Sequence, residues 1–454
     1  MSADLDAIFK AYDIRGVYPD QIDDGVALRV GNAFVGFTGA ARVLVGRDAR
    51  PSSVPLVAAF TEGAMLAGAD VVDLGLASTD LIYFASGHLD APGAMFTASH
   101  NPAQYNGIKL CRAGAAPVGV ETGLAQIKAA VVAELVERAE ESGRYEQLDL
   151  LPAFVDHVRS FVDVDALRPL KVVADTANGI GGLVVPAALE GLPFDLTMLF
   201  GELDGTFPNH PADPIQPENL KDLQRTVVDK AADVGLAFDG DADRVFLVDD
   251  RAQPVSGSLT TAIVASSILR RVAADAPAAD RTVVHNLICS KTVPEVVREL
   301  GGTPVRTRVG HSYIKQVMAE TGAIFGGEHS GHYYFRDNFR ADSGLIAALV
   351  VLEALSKTEE PLSVLRQPFE RYVASGEINR RVDDPAAVIE SVAAEYSNEQ
   401  QDRLDGLTVE LDDWWFNLRP SNTEPLIRLN LEAANALECE AHTAEVLALV
   451  GGET

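Results

Sequence analysis

Four short polar motifs stand in apolar sequence, and together they carry the side chains needed to move a phosphate group on a sugar. Thr97–Pro102 contributes a serine hydroxyl, and Asp239–Arg244 contributes three carboxylates at alternate positions. Gly327–His332 interleaves glycines with hydrogen-bonding side chains, and Arg419–Pro425 joins an arginine to hydroxyl and amide groups. These sets are typical of a nucleophile, a metal site, a reader of sugar hydroxyls and a phosphate-binding loop. We call them the nucleophile loop, the aspartate loop, the sugar motif and the phosphate motif.

The nucleophile loop presents Ser99 in a turn, because Pro102 stops a helix and restricts Asn101 before it. A serine hydroxyl is a poor nucleophile unless a base or a metal assists it. His100 can hydrogen-bond a phosphate or handle a proton, and Lys109 adds a cation a few residues further on. The sequence therefore predicts Ser99, His100 and Lys109 as catalytic residues.

The aspartate loop places Asp239, Asp241 and Asp243 at alternate positions, so that a slight turn of extended chain directs three carboxylates at one cation. Such oxygen ligands favour Mg²⁺, Ca²⁺ or Mn²⁺. A calcium EF-hand is the rival interpretation and fails, since Arg244 stands where that loop needs glycine and the flanking sequences resemble strands. An acidic turn without metal stays open as an alternative.

A charge count connects the aspartate loop to phosphate. Three carboxylates exceed the charge of one divalent cation, and a phosphoserine adds about two further negative charges. A bound phosphate therefore needs cations beside it, and Arg244 directly follows the third aspartate. Metal and arginine polarising one phosphoryl group are the usual physics of phosphoryl transfer.

The sugar motif uses glycines, which let a ligand approach the backbone closely, beside a carboxylate, a hydroxyl and imidazoles. Glu328, His329, Ser330 and His332 suit the adjacent hydroxyls of a sugar. A purely structural turn of this composition stays an alternative.

The phosphate motif is the stronger of the two binding patterns. Arg419 supplies a planar fork for phosphate, and the triplet that follows Pro420 adds hydroxyls, an amide and backbone N–H groups. The triplet consists of Ser421, Asn422 and Thr423. Arg428 is either a second cation or a solvated strand residue.

Two other features have structural interpretations beside the functional ones. Val309–Ser312 is either a phosphate contact through His311 or the start of a helix over Tyr313–Glu320 that Ser312 caps. Gly179–Gly182 does not complete a dinucleotide fingerprint, since Val184 stands where the third glycine belongs, and is interpreted as a structural turn.

Three segments repeat the order strand, helix, strand, and each leads into one of the first three motifs. Alternating strands and helices predict parallel β-α-β crossovers, and ligands bind at the carboxyl ends of such strands. The motifs are therefore expected to converge on one cleft. Strands are predicted at Arg42–Gly46, Asp70–Leu74, Ala94–Phe96, Lys171–Asp175, Phe194–Leu199, Val234–Phe238, Thr282–Asn286, Thr303–Val309 and Ala323–Phe325, with helices near Val54–Leu66, Leu183–Leu189 and Val293–Leu300.

The C-terminal part follows another pattern. Trp414–Leu418 and Leu426–Leu431 are predicted strands, and Ala436–Val450 is a predicted closing helix. We therefore predict an α/β protein of three similar α/β domains plus a smaller C-terminal α+β domain around a central cleft. The expected domains are 1–150 with the nucleophile loop, 151–253 with the aspartate loop, 254–370 with the sugar motif and 371–454 with the phosphate motif.

Bulk composition limits the partners. The 454 residues carry a net charge of −29, which disfavours binding to nucleic acid and to anionic membranes. This acidity is explained either by a requirement for solubility or by adaptation to salt. The most apolar stretch, Leu345–Leu355, is too short to span a bilayer and is expected to be a buried helix. Three distant cysteines and an N-terminus without signal-peptide features predict reduced thiols and a cytoplasmic location.

With the four motifs in this order, and Phe9–Gly16 at the N-terminus, the whole chain closely resembles the α-D-phosphohexomutase superfamily, in its phosphomannomutase/phosphoglucomutase branch. The resemblance implies four domains around a central cleft and one Mg²⁺ per chain. Ser99 matches the phosphoryl-carrying serine and a metal ligand, together with the three aspartates, and Arg244 matches the arginine beside them. Further matches are substrate-binding residues, namely Glu328, Ser330, Arg419, Ser421, Asn422 and Thr423, and active-site positions, namely Tyr12, Arg15, Lys109, His311 and His332.

The same resemblance implies the reaction. It is a reversible phosphoryl transfer between the 6- and 1-positions of a hexose phosphate, through a phosphoserine and a hexose 1,6-bisphosphate that also serves as activator. Lys109 and His332 are the expected proton carriers. His329 stands at a position that varies among related members and is therefore expected to tune sugar preference. Mannose 6-phosphate is the favoured substrate, ahead of glucose 6-phosphate, and the Ser421–Thr423 triplet is less like the phosphoglucosamine mutase branch.

Two other classes of function remain alternatives. A metal-dependent sugar phosphatase would use the same loops but admit water, and a non-catalytic sugar-phosphate-binding protein would not need the nucleophile. The expected partners are small hexose phosphates, without nucleic acid or membrane, and the expected state is a monomer or homodimer.

Overall fold

A computed structural model describes residues 5–420 and 426–452 of the chain. Its helices are α1 (Leu5–Ile8), α2 (Asp24–Thr38), α3 (Ser53–Leu66), α4 (Thr79–His88), α5 (Leu124–Val132), α6 (Leu151–Arg159), α7 (Gly181–Leu189), α8 (Lys221–Lys230), α9 (Gly257–Arg271), α10 (Thr292–Glu299), α11 (His311–Thr321), α12 (Gly344–Ser356), α13 (Leu362–Leu365), α14 (Pro385–Glu395) and α15 (Ala436–Val450).

Its strands alternate with these helices over most of the chain. They are β1 (Ile14–Val17), β2 (Arg42–Arg47), β3 (Asp70–Leu76), β4 (Gly93–Phe96), β5 (Tyr105–Arg112), β6 (Ala116–Pro117), β7 (Tyr145–Gln147), β8 (Leu170–Asp175), β9 (Phe194–Leu199), β10 (Val234–Phe238), β11 (Val245–Asp249), β12 (Pro254–Val255), β13 (Thr282–Asn286), β14 (Thr303–Thr307), β15 (Phe325–Gly327), β16 (Tyr333–Phe335), β17 (Val373–Arg381), β18 (Gln400–Asp402), β19 (Leu407–Glu410), β20 (Trp414–Pro420) and β21 (Leu426–Ala433).

The first sheet has the order β1-β5-β4-β2-β3-β7, with β6 beside β5. β2, β3 and β4 are parallel, whereas β5 runs antiparallel to β4 and places Lys109 opposite Met95. The nucleophile loop connects β4 to β5. The chain thus returns from Ser99 along the neighbouring strand, which brings Lys109 back towards the loop.

The second sheet has the order β12-β11-β10-β8-β9. β10 is parallel to β8 and antiparallel to β11, and Phe238 pairs with Val245 at the end of the β10–β11 hairpin. All residues of β10 and β11 are buried, as expected for central strands without alternating polarity. The aspartate loop is the turn of this hairpin.

β13 pairs in parallel with both β14 and β15. β13 ends at Asn286 and β15 ends at Gly327, so that Asn286 and the sugar motif lie at the same edge. β17 to β21 form an antiparallel sheet of order β17-β21-β20-β19-β18, and residues of α14 and α15 complete its hydrophobic core. The predicted fold class, α/β followed by a smaller α+β domain, is confirmed.

Most predicted elements agree with the structure, and several agree in both bounds, among them β9, β10, β13 and α15. The predicted buried helix is α12, whose N-cap Ser343 accepts a hydrogen bond from the Ile346 backbone N–H. The proposed Ser312 cap is wrong. α11 already begins at His311, because Gly310, with φ of 131°, supplies the turn that starts it.

In the described part of the chain, no helix is long and apolar enough to cross a membrane. The chain divides into two compact units, of which the first comprises 1–256 with 330–365 and the second comprises 257–329 with 366–454. The four domain boundaries stay a prediction.

Helices α2 and α3 pack at very short distance through Gly31. A Cβ atom at Gly31 would lie 2.1 Å from the carbonyl oxygen of Phe60, which is a backbone atom that cannot move alone. On the same helix, a Cβ atom at Gly36 would have only the Glu137 carboxylate near it, at 3.9 Å. The two glycines therefore differ in packing while sharing one helix.

Gly31→Ala is expected to lower the free energy of unfolding by about 1–3 kcal/mol, because the helices must separate. Gly36→Ala is expected to raise it by about 0.5–1 kcal/mol through reduced backbone entropy of the unfolded chain. Urea unfolding of both variants measures the difference. A stabilising Gly31→Ala would contradict the packing.

Candidate active site

Ser99 lies in a strained turn directly after β4. Its φ is 50°, in the left-handed region that costs a non-glycine residue about 1–3 kcal/mol. Thr97 Oγ1 accepts a hydrogen bond from the Ser99 backbone N–H at 2.9 Å, and the Asn101 N–H donates to the Ala98 carbonyl. The serine is only 6% exposed. The nucleophile loop is therefore a fixed conformation rather than an open surface loop.

The Ser99 hydroxyl contacts the aspartate loop. Its Oγ donates a hydrogen bond to Oδ2 of Asp239 at 2.8 Å and lies 3.3 Å from Nδ1 of His100. The structure thus brings together a hydroxyl and a carboxylate that are 140 residues apart.

The three aspartates have ligand atoms within 4.8 Å of one another and are all buried. Oδ1 of Asp241 and Oδ1 of Asp243 have no hydrogen-bond partner. Unpaired buried carboxylate oxygens are costly, and a cation is the ligand that would satisfy them. The donor set, which is all carboxylate oxygen, fits a hard divalent cation.

Two cations accompany the aspartates. Lys109 Nζ donates to Asp241 Oδ2 at 2.6 Å and to Asp243 Oδ2 at 2.8 Å, and Arg244 Nε donates to Asp239 Oδ2 at 2.8 Å. Nη2 of Arg244 is buried and has no hydrogen-bond partner. Three carboxylates thus outnumber two side-chain cations, and one donor remains available to an anion.

Burial and these ion pairs move the pKa values in opposite directions. Burial raises the pKa of Asp239 to about 7, despite Arg244 beside it. Burial also acts to raise the pKa of Asp241, but Lys109 outweighs it and holds this pKa below its ordinary value. Desolvation opposes the ammonium of Lys109, yet Asp241 and Asp243 raise its pKa well above the usual value. Of the three carboxylates, Asp239 is therefore the one whose ionised form burial disfavours on balance.

The pKa values of the two histidines beside the aspartates are shifted in opposite directions. Burial, with Arg244 and Arg15 nearby, lowers the pKa of His100 to about 3, so its ring is neutral at neutral pH. His332 Nδ1 lies 2.9 Å from Asp342 Oδ2 and 3.8 Å from Asp243 Oδ1. Burial lowers the pKa of His332, but these two carboxylates raise it above its ordinary value.

A backbone bridge pairs Arg244 with His332, so that the two residues lie side by side. Asp342 orients the His332 ring in the way that a carboxylate orients a catalytic histidine. Asp342 was not predicted from the sequence, because nothing in the spacing between it and His332 marks the contact.

Residues at the start of α4, next to the first sheet, also hydrogen-bond to the aspartate loop. Thr79, the first residue of α4, donates its hydroxyl to Asp241 Oδ2 at 2.6 Å and its N–H to the Asp241 carbonyl at 3.1 Å. Asp80 next to it accepts a hydrogen bond from the Ser343 hydroxyl at 2.6 Å. Thr79 was not predicted either, since a threonine at a helix start usually only caps the helix.

Arg15 reaches the nucleophile loop through Asn101. Its Nη1 donates to Asn101 Oδ1 at 2.6 Å, and its Nη2 pairs with Asp13. Arg15 lies in β1 opposite Gly107, and Tyr12 precedes the same strand.

In the second unit, the Glu328 carboxylate is buried at the end of β15. Its Oε1 accepts hydrogen bonds from Asn286 Nδ2 at 3.0 Å and from the Gly310 N–H at 3.2 Å. Asn286 Nδ2 also lies 3.4 Å from Nδ1 of His329. His311 follows Gly310 as the first residue of α11. Asn286, which was not predicted from the sequence, therefore contacts both Glu328 and His329, and the start of α11 contacts Glu328 through Gly310.

Arg419 lies on β20 opposite Arg428 on β21. Both face one carboxylate, since Arg419 Nη2 is 2.6 Å from Glu377 Oε2 and Arg428 Nη1 is 3.5 Å from Glu377 Oε1. Glu377 on β17 was not predicted. Ser421, Asn422 and Thr423 lie outside the described residues, and Ser330 is half-buried at the start of the 330–365 segment.

Comparison with known proteins gives matches along nearly the whole chain. Models of the phosphoglucomutase/phosphomannomutase family match alpha/beta/alpha domain I at 6–136, domain II at 152–253, domain III at 256–372 and the C-terminal domain at 377–449.

Relatives and solved structures agree with these matches. A phosphomannomutase of Salmonella montevideo is 39% identical over 455 residues, which cover 97% of this chain and 98% of that protein. A protein of Xanthomonas campestris named phosphohexose mutases is 38% identical over 449 residues, and the match covers 98% of this chain and 99% of that protein. The structure of a phosphoglucomutase/phosphomannomutase family protein from Burkholderia thailandensis has a TM-score of 0.88 at 32% identity and covers 98% of each chain.

A divalent cation is expected to stabilise the protein through the aspartate loop. At a concentration of about one hundred times its dissociation constant, Mg²⁺ or Mn²⁺ should raise the free energy of unfolding by about 2.7 kcal/mol. Asp243→Asn should lose most of this gain, because it removes a charged ligand, whereas Asp229→Asn on the exposed face of α8 should keep it. Thermal unfolding in chelator and in metal measures both. Equal melting temperatures of the parent protein in the two buffers would contradict the site.

Proposed function

The chain belongs to the phosphoglucomutase/phosphomannomutase family of α-D-phosphohexomutases, and on that premise we propose that it interconverts mannose 6-phosphate and mannose 1-phosphate. The observation that carries the proposal is the 2.8 Å contact between Ser99 Oγ and Asp239 Oδ2, beside two cations and two further carboxylates. A hydroxyl, a hard-cation site and phosphate-compensating cations are the parts that phosphoryl transfer requires.

The proposed reaction has two half-reactions. In the first, the free sugar hydroxyl attacks the phosphorus of phospho-Ser99, the bond from phosphorus to Oγ breaks, and the sugar's proton passes to the serine oxygen. The hexose 1,6-bisphosphate turns around. In the second, Ser99 Oγ attacks the other phosphoryl group, and its proton passes to the sugar oxygen that leaves.

Individual residues are assigned to these steps. Asp239 Oδ2 accepts the Ser99 hydroxyl proton in a hydrogen bond and so orients Oγ for attack. The available Nη2 of Arg244 suits a phosphoryl oxygen. Lys109 and His332, the latter oriented by Asp342, are the proposed proton carriers at the sugar hydroxyl.

The proposed cofactor is one Mg²⁺ per chain, held by the three aspartates together with Ser99, and hexose 1,6-bisphosphate is the proposed activator. When bound, the ion supplies charge compensation and polarises a phosphoryl oxygen. Arg419 with Ser421, Asn422 and Thr423 is the proposed site for the phosphate that does not react, and Glu328 and Ser330 are proposed to bind sugar hydroxyls.

A broader sugar preference is the second candidate function. The name of the Xanthomonas relative, phosphohexose mutases, specifies no single hexose, and mannose and glucose 6-phosphates differ only at the 2-hydroxyl. A site that does not grip this group accepts both sugars. A phosphoglucomutase or dual-specificity activity therefore follows mannose in our order of preference, with glucosamine 1-phosphate last.

Ser99→Ala is expected to abolish mutase turnover and the phosphoryl mass increment on the intact protein, because no oxygen remains to carry the group. Ser142→Ala, at an exposed serine in the same α/β region, is the matched control and should keep both. Coupled assays with mannose 1-phosphate and intact-protein mass spectrometry provide the measurements. Mutase activity that persists in Ser99→Ala would refute the assignment, and free phosphate without isomerisation would indicate a phosphatase.

Glu328→Gln is expected to lower kcat/KM by about 10- to 100-fold with both mannose 1-phosphate and glucose 1-phosphate, since it removes a charged hydrogen-bond acceptor. Glu320→Gln, an exposed residue of α11, should leave kcat/KM unchanged. Steady-state kinetics on the two sugars and on glucosamine 1-phosphate test this. An unaltered kcat/KM in Glu328→Gln would remove that residue from the substrate site.

A further inference from the structure

The side chain of Arg50 is fully buried in the connection between β2 and α3, where the sequence analysis assigned no chemistry. Burying a guanidinium is costly unless its charge is compensated and each of its N–H groups finds an acceptor. The partners of Arg50 therefore indicate what its burial serves.

The five N–H groups of this guanidinium meet five acceptors. One is a carboxylate, and the other four are main-chain carbonyls of the nucleophile loop and of the first residue of β5. The contacts are Nε to Asp48 Oδ2 at 3.1 Å, Nη2 to the carbonyls of Ser99 at 2.8 Å and Asn101 at 2.6 Å, and Nη1 to the carbonyls of Pro102 at 2.8 Å and Tyr105 at 3.0 Å.

Asp48 fixes this guanidinium to the scaffold. Its Oδ1 accepts hydrogen bonds from the Arg50 N–H at 3.0 Å and from the Ser53 hydroxyl at 2.9 Å, while its Oδ2 accepts from Arg50 Nε. Ser53 Oγ in turn accepts from Asn106 Nδ2 at 3.0 Å. The connection between β2 and α3 therefore holds both the start and the end of the β4–β5 turn.

The backbone that Arg50 holds is the strained part of the turn. Ser99 has a φ of 50°, and the carbonyls of Ser99 and Asn101 share Nη2 of Arg50. Both ends of the Ser99–Asn101 segment are thus fixed relative to one planar group. A strained conformation persists only where its surroundings enforce it, and these two bonds enforce this one.

We propose that Arg50 is a positioning residue: its guanidinium holds the carbonyls of the nucleophile loop and thereby keeps Ser99 Oγ at the aspartate loop. The inference rests on the proposed mutase function. Arg50 contacts no reacting atom and acts through the backbone of Ser99. A displacement of about 1 Å at a reacting group can lower the rate about 100-fold, which sets the expected size of the effect.

Arg50→Lys keeps the charge but has three donors on one nitrogen and cannot span four carbonyls. Its kcat with mannose 1-phosphate is expected to fall about 100-fold, with KM within about twofold of the parent value. Arg50→Gln, which avoids an unpaired buried charge, is the second variant. Its kcat is also expected to fall while its KM stays near the parent value.

Arg159→Lys is the matched control. Arg159 also directs its guanidinium to main-chain carbonyls, those of Ala187, Ala188 and Glu190 at the end of α7, far along the chain from the nucleophile loop. Its replacement should lower the melting temperature without changing kcat. Circular dichroism and thermal unfolding establish which variants are folded, and intact mass after incubation with hexose 1,6-bisphosphate reports how fast Ser99 is phosphorylated.

The possible outcomes separate this inference from the proposed function. A parent protein without mutase activity refutes the function itself, and the inference with it. An active parent protein together with a folded Arg50→Lys or Arg50→Gln that keeps kcat within about threefold refutes positioning alone. If neither Arg50 variant folds while Arg159→Lys does, Arg50 serves stability only, and the proposal is equally overturned.

Discussion

The hydrogen bond between the Ser99 hydroxyl and Asp239 joins two loops that leave different sheets, and the rest of the site is arranged around that meeting. It requires the end of β4 and the end of β10 to lie a side chain apart. Each loop is accordingly a short turn into an antiparallel neighbour, β5 or β11, whose own residues return to the same spot. Lys109 comes from β5, and Arg244 immediately precedes β11.

The contact between the two loops concentrates negative charge in a buried region, and this charge explains which other side chains surround the aspartates. Asp239, Asp241 and Asp243 would repel one another strongly in a region of low dielectric constant. Lys109 and Arg244 compensate part of this charge, and the Thr79 hydroxyl donates to the same Asp241 oxygen as Lys109. The oxygens left over, Oδ1 of Asp241 and Oδ1 of Asp243, are the ones that the proposed cation would bind. The unsatisfied carboxylate oxygens thus lower local stability at the place where the proposed cation would bind. The strands around them are apolar.

The sequence predicted the fold well, and several of its candidate site residues lie together in the structure, because the signals are local. Apolar β-branched runs such as Val234–Phe238 end in a polar turn, and both the strand and the motif can be read from adjacent residues. The family resemblance then supplied roles that spacing alone left open, such as that of Tyr12.

What the sequence did not reveal are partners set by long-range packing. Asp342, Thr79, Asn286, Glu377 and Arg50 act on site residues, yet each belongs to an ordinary helix start, strand end or loop when taken alone. Their importance depends on sheet register and on which strand ends share an edge, and neither is encoded in neighbouring residues. The predicted Ser312 cap is wrong for a related reason, since the backbone of Gly310 starts the helix earlier.

Glu377 on the C-terminal sheet is a resting counter-ion for Arg419 and Arg428. A phosphate that binds Arg419 in the proposed reaction therefore replaces one anion by another, and its net gain is the difference between the two. Such an exchange keeps the hold on phosphate moderate and favours release. In the proposed reaction, the bisphosphate must dissociate from this site, rotate and rebind through its other phosphate within one turnover. A moderate affinity allows this, because it selects a doubly charged group and still permits its release.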